Sequence, residues 1–127
     1  MYSDIDSVWD QVEPEITRAI ERFDIGEGVE HIRERLINRD QQLWICNGGD
    51  GVCISEIKIC PDFKILAFPI IAGKNMNEWL DDLVVIAKAY AKHHQCKYIE
   101  GYGRKGWLKA LNEHGFKNYS ITTRLEI

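Results

Sequence analysis

The sequence predicts a mixed α/β fold of the α+β kind, with an antiparallel meander joined to a parallel strand by a crossover helix. Three observations point to it. Apolar residues recur at helical spacing as far as Ile37, form strand-like runs between Leu43 and Ala72, and return to helical spacing from Asn75. Only tight turn signals, Asn47-Gly48-Gly49-Asp50-Gly51 and Pro61-Asp62, separate the strand-like runs. From Asn75 onward the chain reads helix, strand, helix, strand.

Each element has its own signals. Asp6 or Ser7 is placed to cap a first helix whose apolar face is Val8, Val12, Ile16, Ala19, Ile20 and Phe23. Pro14 kinks that helix or marks where its second part starts, and Gly26 and Gly28 end the pattern. A second helix follows with Val29, Ile32, Leu36 and Ile37 as its stripe, and Glu30, Arg33, Glu34 and Arg35 on the other side. Leu43–Cys46, Val52–Cys60 and Lys64–Ala72 are then three strands, the third so uniformly apolar that both its faces must be covered. Asn75 and Glu78 form a capping box for a helix to His94, striped by Met76, Trp79, Leu80, Leu83, Ala87, Tyr90, Ala91 and His94. That helix is a crossover, so the strand Lys97–Tyr102 lies parallel to the Lys64 strand. The last helix, Arg104–His114, carries Trp107, Leu108 and Leu111 on one face and closes on Gly115-Phe116. Asn118–Ile127 alternates as a final strand.

The 127 residues suit one domain, 1–127, large enough to bury a core. A net charge of -4 disfavours nonspecific nucleic-acid binding. No apolar run is long enough to span a membrane, and the acidic Met1–Asp6 stretch is not followed by a secretory h-region. The expected location is therefore cytoplasmic. Cys46, Cys53, Cys60 and Cys96 make no C-x-x-C pair and read as buried free thiols. Neither their spacing nor His93-His94-x-Cys96 reads as a metal site, since adjacent helical histidines point about 100° apart.

Two helices, a three-stranded meander, a crossover helix, a strand, a helix and a last strand resemble the GNAT acyltransferase order without its first strand. Leu111-Asn112-Glu113-His114-Gly115-Phe116 is similar to the ending of that family's last helix. Trp9, Leu43-Trp44, Glu78-Trp79-Leu80 and Gly103-Arg104-Lys105-Gly106-Trp107 resemble short GNAT-like proteins of tailed bacteriophages. The resemblance implies acetyl transfer from acetyl-CoA to an amine. It further implies a glycine-rich pyrophosphate loop before the crossover helix, a pantetheine arm between two splayed parallel strands, and a tyrosine acid on the last helix.

The chain departs from that pattern where the chemistry resides. The cofactor loop becomes Ala72-Gly73-Lys74-Asn75-Met76-Asn77, with both motif glycines replaced by asparagine, and the tyrosine position becomes Leu111. Candidate cofactor contacts are Ile71, Gly73, Lys74, Asn75 and Asn77. Glu100 is the candidate base and Tyr102 the candidate acid, against the commoner reading of each as an edge carboxylate and a strand-end packing residue. Glu56 alternates with Lys58 on what reads as a solvated face, and Arg104, Lys105 and Lys109 as a solvated basic helix face. Trp79 and Trp107 are placed to fill the vacated cofactor cleft. Two functions follow. One is a diverged or non-catalytic protein acting through protein contacts, as in phage virion structure or assembly; the other is an active acetyltransferase. The oligomeric state stays open.

Overall fold

The computed structural model describes residues 2–22, 26–102, 105–119 and 122–127, with backbone alone for 105 and 106. Helix α1 spans Ile5–Arg22 and α2 Val29–Ile37; strands β1 (Gln42–Cys46), β2 (Gly51–Ile59) and β3 (Lys64–Gly73) follow, then α3 (Met76–His93), β4 (Cys96–Gly101) and α4 (Lys105–Glu113). The sheet order is β1-β2-β3-β4, antiparallel except for the parallel β3–β4 pair. No helix among the described residues is long and apolar enough to cross a membrane.

Asp4, rather than Asp6 or Ser7, caps α1: its carboxylate accepts from the Ser7 N–H at 3.4 Å and its carbonyl from the Ser7 hydroxyl at 2.8 Å. The helix runs without a break through Pro14. Ile5, Trp9, Val12 and Ile16 are its buried stripe, which joins Ile32 and Leu36 of α2 against Leu43, Val52, Ile54, Ile70 and Ala72 of the sheet. Each fully buried aliphatic chain there is worth about 1.5–3 kcal/mol. Ile37, expected in the α2 stripe, is half exposed, because a nine-residue helix offers only Ile32 and Leu36 to the sheet. The predicted Phe23 lies outside the described residues.

The other face of the sheet carries α3 and α4. Trp44, Cys53, Leu66, Phe68 and Ile71 pack there against Trp79, Leu80, Leu83, Trp107 and Leu111. Leu108, expected beside Trp107 and Leu111, turns outward at the edge of the α4 face. All four cysteines are free, but only Cys53 is fully buried; the other three are partly exposed near strand ends.

A bulge organises the centre of the sheet. The β2–β3 register passes from Ile54↔Ile70 to Glu56↔Ala67, so Ser55 faces both Phe68 and Pro69. Pro69 has no N–H for a ladder and is tolerated at such an irregularity. The extra residue shifts the side-chain alternation. Leu66 and Phe68 point to the α3 side below it, and Ile71 takes that side above it. Ser55 is buried but satisfied: Trp44 Nε1 donates to its Oγ at 2.8 Å, and Oγ donates to Gln42 Oε1 at 2.8 Å.

Among the described residues the expected final strand Asn118–Ile127 is not formed. Residues 117–119 and 122–127 have no strand structure, and Tyr119, Leu125 and Ile127 stand exposed. Alternation sets which face a strand would bury, but a strand forms only where a partner edge supplies hydrogen bonds.

Candidate functional site

The parallel strands part at Phe68. β4 pairs as far as Phe68↔Gly101, the Tyr102 N–H donates to the Phe68 carbonyl at 3.0 Å, and β3 continues alone on that side to Gly73. This fork and the start of α3 beside it form the candidate site.

The loop entering α3 is tied down by the turn between β1 and β2. Gly73 has φ of 123°, and a Cβ there would lie 1.9 Å from the Asp50 carbonyl oxygen, so only glycine fits. The Lys74 N–H donates to that same carbonyl at 2.9 Å. Asn75 is left-handed (φ 55°) and does not cap α3 through its side chain; the helix instead starts with the Glu78 N–H donating to the Asn75 carbonyl at 2.9 Å. Asn75 Nδ2 donates to the Asp50 carboxylate at 3.2 Å, and Asn47 Nδ2 donates to Asp50 at 2.9 Å and to Glu78 at 3.0 Å. The predicted capping box is therefore replaced by a longer-range network. Trp79 locks it from below. Its Nε1 donates to the Lys74 carbonyl at 2.8 Å, and its ring lies so close to Gly51 that a Cβ there would meet it at 2.6 Å.

This arrangement decides the electrostatics of the α3 N-terminus. A helix start attracts anions through its free N–H groups and positive dipole end. Here one loop N–H is already committed to Asp50, and the Asp50 and Glu78 carboxylates share the end through Asn47. A diphosphate would meet two negative charges. Among the candidate contacts, Lys74, Asn75 and Asn77 are exposed, Gly73 is partly buried, and Ile71 turns into the core beneath α3.

Among the described residues the fork is lined by apolar side chains. A cavity of about 20 Å³ remains between β3, β4, α3 and α4, lined by Phe68, Ile71, Leu83, Ile99, Leu111 and Phe116 among other apolar groups. That is about the room of one water, and an apolar lining gives a water no partners. Leu111 is 5% exposed, and Trp79 and Trp107 pack in the same layer with ring centroids 6.0 Å apart and planes tilted by 48°. Gly103 and Arg104, in the segment aligned with the family's last-helix motif, lie outside the described residues.

Glu100 and Tyr102 come together on the opposite face of β4 from Ile99, away from the cavity. The Tyr102 hydroxyl donates to Glu100 Oε1 at 2.7 Å and accepts from Lys58 Nζ at 3.0 Å, while Nζ also lies 4.7 Å from the Tyr102 ring centre. Burial, first, and the bond to Glu100 push the Tyr102 phenol up against the opposing effect of Lys58; the bond to Tyr102 pushes the Lys58 ammonium up. The group is thus a phenol with its proton held, between a cation and a carboxylate. Lys58 is the member that strand alternation alone could not supply, since it lies 44 residues before Tyr102 and only the sheet brings them together.

Two further contacts escape a linear reading. His114 closes α4 onto α3: Nδ1 faces the Ala110 carbonyl at 2.9 Å and Nε2 faces the Asp81 carboxylate. Both partners are acceptors, so both bonds form only with the imidazolium, and the His114 pKa is raised, first by Ala110 and then by Asp81. Cys46 and Cys53 meet across β1 and β2. The bond between the thiols lowers Cys46 and raises the buried Cys53. Among the described residues no three His, Cys, Asp or Glu side chains converge as metal ligands.

No protein-family model and no curated protein matches the chain. Solved structures do. An aminoglycoside acetyltransferase from an uncultured soil metagenomic sample, solved with sisomicin, matches with a TM-score of 0.69 at 9% identity, over 98% of this chain and 90% of that one. A protein described as a probable acetyltransferase gives 0.68 at 16% identity, over 94% and 95%. A transcriptional regulator from Bacillus halodurans gives 0.66 at 17%, over 100% and 95%. The chain therefore has the GNAT acetyltransferase fold. At these identities the likeness concerns architecture, and functions as different as acetyl transfer and transcriptional regulation stand among the neighbours.

Proposed function

We propose that this chain uses the GNAT fold without the family's acetyl-CoA chemistry and acts through protein contacts, in the manner of short phage-encoded proteins that serve virion structure or assembly. The observation that carries the first part is the Asp50 carboxylate held at the start of α3 by Asn47 and Asn75, with the Asp50 carbonyl taking the Lys74 N–H. A pyrophosphate would have to displace this internal anion and overcome Glu78 beside it. The cavity of about 20 Å³ among the described residues supports the same reading, because cofactor and ligand sites commonly need about 300–1,000 Å³. The phage and virion part rests on the tryptophan-bearing motifs around Trp9, Trp44, Trp79 and Trp107.

Thermal denaturation with millimolar acetyl-CoA tests the proposal. A ligand binding only the folded chain stabilises it by RT ln(1 + [L]/Kd), about 2.7 kcal/mol at a hundredfold excess over Kd. No shift is expected. A clear shift that Lys74→Ala removes would overturn the proposal and restore the cofactor loop as a working site.

The acetyltransferase reading draws on one specific observation, the Lys58–Tyr102–Glu100 cluster, in which a proton-bearing phenol lies beside the fork. It requires acetylation of amine acceptors by the purified chain, lost in Tyr102→Phe.

A further inference from the structure

We propose that the outward face of α3 packs antiparallel against the α3 of a second copy of this chain, with a twofold axis at Val85. The inward face of this helix is fully used: Trp79, Leu80, Leu83, Val84, Ala87 and Ala91 are buried in the layer shared with the sheet and α4. The outward face carries two large aliphatic side chains at its middle. Val85 is 67% exposed and Ile86 54%, with Ala89 exposed one turn on. The solvent side of an amphipathic helix ordinarily carries polar groups, so an apolar centre there marks a surface suited to contact.

The charges around that centre are sorted by position. Glu78, Asp81 and Asp82 lie in the turns before Val85, and Lys88, Lys92 and His93 in the turns after it, all of them exposed. Asp82, Lys88 and Lys92 form no ion pair among the described residues, so their charges are available to a partner. At about 100° per residue, Glu78, Asp82, Val85, Ala89 and Lys92 fall within one stripe. Two such stripes laid antiparallel about Val85 set Val85 on its own copy, Asp82 beside Lys88 and Ala89, and Glu78 beside Lys92. A parallel pairing would set Asp82 on Asp82 and Lys88 on Lys88, which like-charge repulsion disfavours.

The second copy follows from this symmetry. A twofold contact needs a patch that complements itself, and an apolar centre between an acidic half and a basic half does so. A partner charged with one sign would be attracted by one half of the face and repelled by the other. One helix pair covers less than the roughly 800 Å² per partner of a standard interface, so the dimer is a weak one. Val85 lies about 15 Å along the helix from Asn75. The pairing therefore goes beyond the proposed function and holds whether or not acetyl-CoA binds.

Sedimentation velocity on the full chain from micromolar to millimolar concentration tests the proposal. A concentration-dependent dimer is expected, and Val85→Glu should abolish it while circular dichroism shows an unchanged fold, since the side chain is exposed. Charge exchange tests the register. Asp82→Lys alone and Lys88→Glu alone should each weaken the dimer about tenfold, because each sets like charges together at both junctions. Mixing the two variants should restore it, since both junctions then join opposite charges. A monomer at all concentrations overturns the proposal. So does a dimer indifferent to Val85→Glu, or a mixture of the two charge variants that fails to reassociate.

Discussion

The start of α3 and the end of β4 flank the same fork, and they are built in opposite ways. At the start of α3 several polar groups are tied internally: Asp50 to the Lys74 N–H, Asn47 and Asn75, Trp79 to the Lys74 carbonyl, and Glu78 to Asn47. At the end of β4 the polar groups gather on the outer face, where Lys58, Tyr102 and Glu100 bond to one another with Tyr102 38% exposed. The contrast teaches that one end of a fork can tie its polar groups into internal contacts while the other end gathers them on the outer face. Asp50 and Glu78 place two carboxylates at the start of α3, and the proton-bearing phenol faces away from the apolar cavity.

The largest expected effect lies on the closed side. Trp79→Ala removes an indole that is 2% exposed and holds the α3 loop, the Gly51 backbone and Trp107 together. A loss of about 3–5 kcal/mol in urea unfolding is expected; a loss under 1 kcal/mol, about the change tolerated for volume-conserving core swaps, would show that the closure is loose. Gly73→Ala comes next. A left-handed φ and a clash with the Asp50 carbonyl should cost about 1–3 kcal/mol by the same measurement. An unchanged midpoint would mean that the two loops are not held against each other.

A smaller effect is set by pH at the far end of α4. The His114 imidazolium is held above its usual 6.5 by the Ala110 carbonyl and then by Asp81. A raised folded-state pKa means a contribution present in full below 6.5 and lost as pH rises through the folded value. Melting temperature should therefore fall more steeply over that window in the wild type than in His114→Ala. Parallel curves would remove the α4 latch. The smallest effect is expected on the open side: Tyr102→Phe deletes a phenol from an exposed cluster and should change stability by about 0.5 kcal/mol or less. A markedly larger loss would make the cluster structural and erase the contrast.

Much of this was legible in the sequence. The shift from helical to strand spacing near Leu43, and back at Asn75, placed every helix and the four paired strands within a residue or two. The apolar Lys64 run correctly marked a strand covered on both faces, and the parallel partner followed from the crossover. The errors share a cause. Asn75 and Glu78 have the spacing of a capping box, but Asp50, 25 residues earlier, claimed the Asn75 side chain. Alternation from Asn118 to Ile127 predicted a strand that the described residues do not form, since alternation cannot supply a partner edge. Glu100 and Tyr102 were identifiable as candidates, whereas the side of the sheet they occupy depended on the β3–β4 register.

The sequence by itself determined the periodicities, the turn chemistry and hence the order and type of the elements, because these depend on neighbours three or four residues apart. It also determined that asparagine stands at 75 and 77 and leucine at 111, which is a matter of identity at a position. Only the tertiary structure decided what surrounds those positions. Asp50 at the start of α3, Leu111 and Phe116 around the cavity, and Lys58 on Tyr102 are partners brought together by the sheet and by the crossover of α3. Their pairing is set by strand register and helix packing, and local spacing carries no record of either.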